Sequence, residues 1–138
     1  MREYVNKVVK KYKTSDPFEL ADILNINVVF FPLGDCNGYS TTISREKYIC
    51  INSTLPKHQI QLTLAHEIGH ILLHKHFNTP YIKAHTKLLI NKLEIEANTF
   101  AIHLLITDEE LKEYSGYTLH QLAMIFGYPE EFIELRLK

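Results

Sequence analysis

Five consecutive residues carry most of the chemistry in this chain: His66-Glu67-Ile68-Gly69-His70. Two histidines four apart on a helix lie one turn apart on the same face. That spacing lets both imidazoles reach a single zinc ion, at about 2.0–2.1 Å each. Glu67 stands beside them, placed to take a proton from the water that such an ion activates. The pattern predicts two metal ligands and a general base, the centre of a metallo-hydrolase.

The surrounding residues support a helix there. Leu62, Ala65, Ile68, Gly69, Leu72 and Leu73 recur with helical rather than alternating spacing. Pro56 suits a first turn and Asn78-Thr79-Pro80 a stop, so the helix is expected at about 56–76.

A catalytic zinc usually takes three protein ligands and keeps one position for water. His74 continues the helix face, but eight residues from His66 place it about 12 Å along the axis, too far to share one ion. His76 falls where a third histidine stands in the His-Glu-x-x-His-x-x-Gly-x-x-His pattern. The glycine that lets the helix end there is Leu73 in this chain, which favours continued helix. The other source is a long apolar helix expected at about 87–106, which offers Glu94 and Glu96. Residues two apart point about 200° apart around a helix, so only one can serve. Periodicity does not choose between them, since the helix is apolar nearly all round and each glutamate borders an apolar stripe.

The remaining elements form the frame for that pair of helices. Residues 2–13 and a segment opened by Asp16-Pro17 read as helices, the second capped by Asp16. Asn27 to Leu33, Tyr39 to Ile43 and Lys47 to Asn52 read as strands. Residues 79–86 read as irregular. After the long helix come a short acidic helix from Thr107-Asp108 and a tail, about 118–138, of two short helices split at Gly127-Tyr128-Pro129. Strands segregated between helices indicate an α+β fold. A length of 138 residues indicates one domain, 1–138.

Composition limits the partners. The net charge of −1 gives no global basic field for nucleic acid. No apolar run approaches the roughly 20 residues of a membrane span. The N-terminal residues lack a signal peptide's apolar stretch, so a cytoplasmic protein with reduced Cys36 and Cys50 is expected. The tail has a helix-turn-helix rhythm, but Glu130, Glu131 and Glu134 outnumber Arg136 and Lys138. A packing or partner-docking tail is expected, and not direct DNA contact.

Three stretches resemble the ImmA/IrrE family of bacterial zinc metallo-endopeptidases. They are Ile49-Cys50-Ile51-Asn52 with Leu55-Pro56, then Ala65 to His74, then Glu94-Ile95-Glu96-Ala97-Asn98-Thr99-Phe100-Ala101 with Leu104-Leu105. The resemblance implies a small zincin-like domain: a short, mainly antiparallel sheet, the motif helix, a second ligand-bearing helix and a helical tail. It implies Zn2+ held by His66, His70 and Glu96, the glutamate before Ala-Asn, with Glu67 as base. It implies as substrate a helix-turn-helix repressor, whose cleavage relieves repression of a phage, mobile-element or stress-response operon. The alternative is a zinc-holding module that inactivates a repressor by binding alone. His103, His74, Tyr39 and His85 are candidates to stabilise the transition state or line the cleft. The strand pair at 39–52 offers an edge to an extended substrate.

Overall fold

The computed structural model describes residues 1–74 and 87–138. The expectations for His76, for His85 and for the irregular stretch 79–86 lie outside the described residues. The chain order is α1 (Arg2–Tyr12), α2 (Pro17–Ile23), β1 (Ile26–Phe31), β2 (Gly38–Ile43), β3 (Glu46–Asn52), α3 (Lys57–Leu73), α4 (Lys87–Leu105), α5 (Asp108–Lys112), α6 (Leu119–Phe126) and α7 (Glu130–Leu137). The fold is α+β, with a small sheet, the motif helix, a second long helix and a helical C-terminal tail. Among the described residues no helix is long and apolar enough to cross a membrane.

The sheet has the order β1-β3-β2. The expected hairpin is β2 antiparallel to β3, with Tyr39 opposite Cys50 and Ser40 opposite Ile49. On the other side β1 runs parallel to β3, with Val28 opposite Ile49. Alternation then divides β2 into two faces. Gly38 and Ser40 share the side of Ile51 and Ile49, which are fully buried. Tyr39 lies on the other side, paired with Cys50. A Cβ at Gly38 would come within 2.7 Å of both the Cys50 carbonyl oxygen and Thr63 Cγ2. Glycine thus lets β2 press onto α3.

Two apolar clusters meet at α4. One joins Val5 and Val8 of α1, Leu20 and Ala21 of α2, Ile49 and Ile51 of β3, Leu64, Ala65 and Ile68 of α3, and Phe100, Ala101 and Leu104 of α4. The other joins Ile102 and Ile106 to Leu122 and Ile133 of the tail. This double burial explains why α4 is apolar nearly all round. Arg136 clamps the tail: its Nε donates to the Ile106 carbonyl at 2.9 Å and Nη2 to Asp108 Oδ1 at 2.6 Å. Arg136, one of the two tail cations with Lys138, is therefore used internally.

Asn52, buried at the end of β3, fastens the loop that leads into β2. Its amide donates to the carbonyls of Gly34 and Cys36 at 2.9 and 3.0 Å. Its Oδ1 accepts from the Leu33 and Thr54 backbone N–H groups and from the Thr54 hydroxyl. Asn52→Ala would strand several of these groups, and each unsatisfied buried group costs about 1–3 kcal/mol. The expected result is a loss of about 3 kcal/mol in urea unfolding, with the far-ultraviolet circular dichroism of the folded state unchanged.

Candidate metal centre

The motif helix turns both histidines toward α4. Their Nε2 atoms stand 3.1 Å apart. The Glu94 carboxylate closes the group, with one oxygen 3.1 Å from His66 Nε2 and the other 2.8 Å from His70 Nε2. Around a tetrahedral ion with 2.0–2.1 Å bonds, neighbouring ligand atoms lie about 3.3 Å apart. Donors of the right type thus already converge at close to the right spacing, and these three residues can hold a metal ion.

The structure brings Glu94 to the histidine pair, and not Glu96. Glu96 Oε2 lies instead 3.8 Å from His74 Nε2. The physical reason is the roll of α4. Gly69 packs against Ala97 and Phe100: a Cβ there would lie 3.3 Å from the Ala97 carbonyl oxygen and 3.0 Å from Phe100 Cδ1. With Ala97 and Phe100 turned into α3, Glu94 faces the pair, and the 200° separation carries Glu96 away.

The other expected residues are distributed as follows. Glu67 is buried beside the pair. Burial, the largest influence, raises its pKa; the charges of His66 and His70 and hydrogen bonding by Ser40 pull it down. His74 meets the rear nitrogen of His70, Nδ1 to Nδ1 at 2.9 Å, rather than the converging tips. Its pKa is lowered by burial first, then by the His70 charge, against the pull of Glu96. Tyr39 does not join the cluster, because it shares the sheet face of Cys50, opposite to Ser40. Hydrogen bonding with Cys50 chiefly raises its pKa. His103 lies nine residues beyond Glu94, about 13 Å along the helix. It is buried among Arg136, Asp108 and Arg2, and its pKa is pushed down to about 4 by burial and then by the Arg136 charge. The group that converges is His66, His70 and Glu94, without Tyr39 or His103.

Two contributors escaped the sequence reading. Asn98 Oδ1 accepts from His66 Nδ1 at 2.6 Å, leaving Nε2 directed at the cluster. Metal-binding histidines are commonly fixed this way through the other ring nitrogen. A signal existed, since Glu94 and Asn98 are four apart and so match the one-turn spacing of His66 and His70. Ser40 gave no local signal, because only the packing of β2 on α3 brings it to Glu67. Electrostatically the cluster is tight. Hydrogen bonds from His66 and His70 hold the Glu94 carboxyl far below the usual carboxylate range. For His66, burial opposes protonation but is outweighed by hydrogen bonding to Glu94, the charges of Glu67 and Glu94, and Asn98, so its pKa is raised.

What this fold and this cluster define together is a metallopeptidase. The family model described as Peptidase_M78, IrrE N-terminal-like domain, matches residues 21–138, and the chain belongs to that family. It is 41% identical over 135 residues to the uncharacterized immunity region protein 2 of Bacillus phage phi105, covering 96% of this chain and 85% of that protein. It is 34% identical over 143 residues to metallopeptidase ImmA of Bacillus subtilis (strain 168), covering 99% of this chain and 83% of that one. A solved structure of a Mycobacterium tuberculosis transcriptional regulator shares the fold, with a TM-score of 0.65 at 16% identity. That likeness covers 99% of this chain and 45% of the regulator's.

Replacing Gly69 with leucine drives a side chain between α3 and α4. Overpacking of this kind costs about 1–3 kcal/mol. Since the same contact sets the roll of α4, Gly69→Leu should also lower metal uptake, read by elemental analysis of folded protein. His103 gives a separate expectation in pH. Its folded pKa lies below the ordinary 6.5, so between pH 6.5 and about 4 the unfolded chain binds more protons. Stability should therefore fall on acidification through that window, and the thermal unfolding of His103→Gln should show a shallower fall.

Proposed function

We propose that this protein is a zinc-dependent endopeptidase that cuts a helix-turn-helix repressor. His66, His70 and Glu94 hold the ion, and Glu67 is the general base. The observation that carries this reading is the approach of Glu94, at 2.8 and 3.1 Å, to two ring nitrogens whose neighbour in sequence is a buried glutamate. Two nitrogens and one carboxylate oxygen are a donor set that zinc accepts. Glu94 replaces Glu96, which the family resemblance suggested, for the geometric reason given above.

A zinc ion bound at these donors would supply Lewis acidity to the scissile carbonyl and would lower the pKa of water. The chain's own residues do the rest. Glu67 takes the proton of the attacking water and returns it to the leaving amide nitrogen. Burial raises its pKa, the direction that makes a carboxylate a better proton acceptor. Asn98 holds His66 with its donor lone pair toward the ion. Among the described residues β2 pairs with β3 alone, so its outer edge is open to an extended peptide that adds as a further strand.

The substrate class rests on the family resemblance and on a relative named for a phage immunity region. A repressor suits such a setting, since cutting it removes the immunity block irreversibly. Purified protein mixed with the repressor encoded nearest its gene should generate two fragments, and a chelator should abolish them. Glu67→Gln should keep zinc and lose about 10²–10⁴-fold in cleavage rate. Full relief of repression by Glu67→Gln in cells would instead mean inactivation by binding. Glu94→Ala should lose zinc while Glu96→Ala retains most of it. The reverse order would restore Glu96 as ligand.

A further inference from the structure

We infer that His74 and Glu96 form a positioning relay that sets the tautomer of His70 and thereby tightens the metal site. This rests on the metal centre proposed above and extends it to two residues outside the ligand set.

The two histidines of the pair are supported in different ways. His66 is held by a neutral amide, with Asn98 Oδ1 at 2.6 Å from Nδ1. His70 is held by another imidazole, with His74 Nδ1 at 2.9 Å from its own Nδ1. Both metal-facing atoms are Nε2, since these are the atoms that converge on Glu94. A neutral imidazole has one N–H and one lone pair. If Nε2 of His70 gives its lone pair to a metal, Nδ1 of His70 must carry the hydrogen. Among the described residues its acceptor is a lone pair on His74 Nδ1, at 2.9 Å. His74 must then carry its own hydrogen on Nε2, the atom that faces Glu96 Oε2 at 3.8 Å. Glu96 therefore favours the one His74 tautomer that accepts from His70. The opposite tautomer would set two N–H groups against each other across the 2.9 Å contact.

The fold builds this arrangement deliberately. His74 ends α3, where its backbone N–H still bonds the His70 carbonyl at 2.8 Å, so its ring is fixed one turn beyond His70. The ring is buried, which keeps water from replacing either contact. Glu94 meets His66 and His70, and Glu96, two residues on, meets His74 at the end of α3. The same roll that makes Glu94 a ligand makes Glu96 the partner of His74.

The test is zinc affinity, measured by competition with a chromogenic chelator on His74→Leu, His74→Asn, Glu96→Ala and the double variants. The loss of a supporting partner behind a metal ligand typically weakens affinity about 10–100-fold. His74→Leu should fall in that range. His74→Asn should recover most of it, because asparagine Oδ1 occupies the place of histidine Nδ1 and accepts the same hydrogen. Glu96→Ala should weaken binding in the His74 background but have no further effect in His74→Leu or His74→Asn. Melting temperatures of the metal-free proteins report folding separately, and should differ little between His74→Leu and His74→Asn. Glu94→Ala, run alongside, reads the metal centre itself and should lose more affinity than any relay variant. Wild-type affinity in His74→Leu, or equal effects of Glu96→Ala with and without His74, would overturn the relay.

Discussion

Everything in the site depends on the packing of α3 on α4 where Gly69 meets Ala97 and Phe100. Helices usually pack with axes 8–10 Å apart, at a distance set by the side chains at the contact. A glycine on one helix opposite an alanine on the other gives the close end of that range, and here even an added Cβ would crowd Phe100 Cδ1 at 3.0 Å. Close approach matters because a glutamate side chain is short. From a more distant α4, Glu94 would not span to both His66 and His70. Gly69 lies between these histidines in sequence, so the contact point and the donors cannot move independently. The two variable letters of the His-Glu-x-x-His motif are, in this chain, the point where the partner helix is gripped.

The motif was legible in the sequence because all its geometry is internal to one helix. Histidine spacing, the position of Glu67 and the helical pattern need no tertiary information. The α+β class and the hairpin of β2 on β3 were legible for a similar reason, since short-range pattern and turns specify them. The choice between Glu94 and Glu96 was different. It depends on how α4 is rolled about its own axis, and α4 buries two sides at once, in Phe100, Ala101 and Leu104 on one and Ile102, with Ile106 just past its end, on the other. A helix buried twice has no hydrophobic stripe to reveal its orientation. The Glu94–Asn98 spacing was the one local cue, and it acquires meaning only when set beside the spacing of His66 and His70. His103 was a candidate because, seven residues from Glu96, it shares that residue's face, whereas from Glu94 it stands nine residues, about 13 Å, along the helix.

The tail takes part in the same problem from the far side. Ile102 and Ile106 pack on Leu122 and Ile133, while Arg136 ties the end of α4 to Asp108. These contacts oppose rotation of α4 about the Gly69 contact. A tail far from the chemistry thus helps hold Glu94 within hydrogen-bond distance of two ring nitrogens. That gives the acidic α7 a use that does not involve nucleic acid, and accounts for a buried arginine in an otherwise acidic helix.

The asymmetry of the two histidine supports follows from where each lies on the helix pair. His66 sits opposite the middle of α4, where Asn98 reaches it directly and a neutral amide suffices to hold one ring hydrogen. His70 sits a turn further along, beside the point at which α4 turns its next face, so its support comes from its own helix through His74. An imidazole, unlike an amide, can hold either tautomer, and something must choose. Among the described residues Glu96 brings a carboxylate to within 3.8 Å of His74 Nε2, and it selects the tautomer without touching the metal. A carboxylate next to the ligand in sequence is thereby excluded from the ion by helix geometry and retained for the ring behind it. The Glu-x-Glu of α4 then reads as one carboxylate for the pair His66 and His70 and a second for His74 behind them.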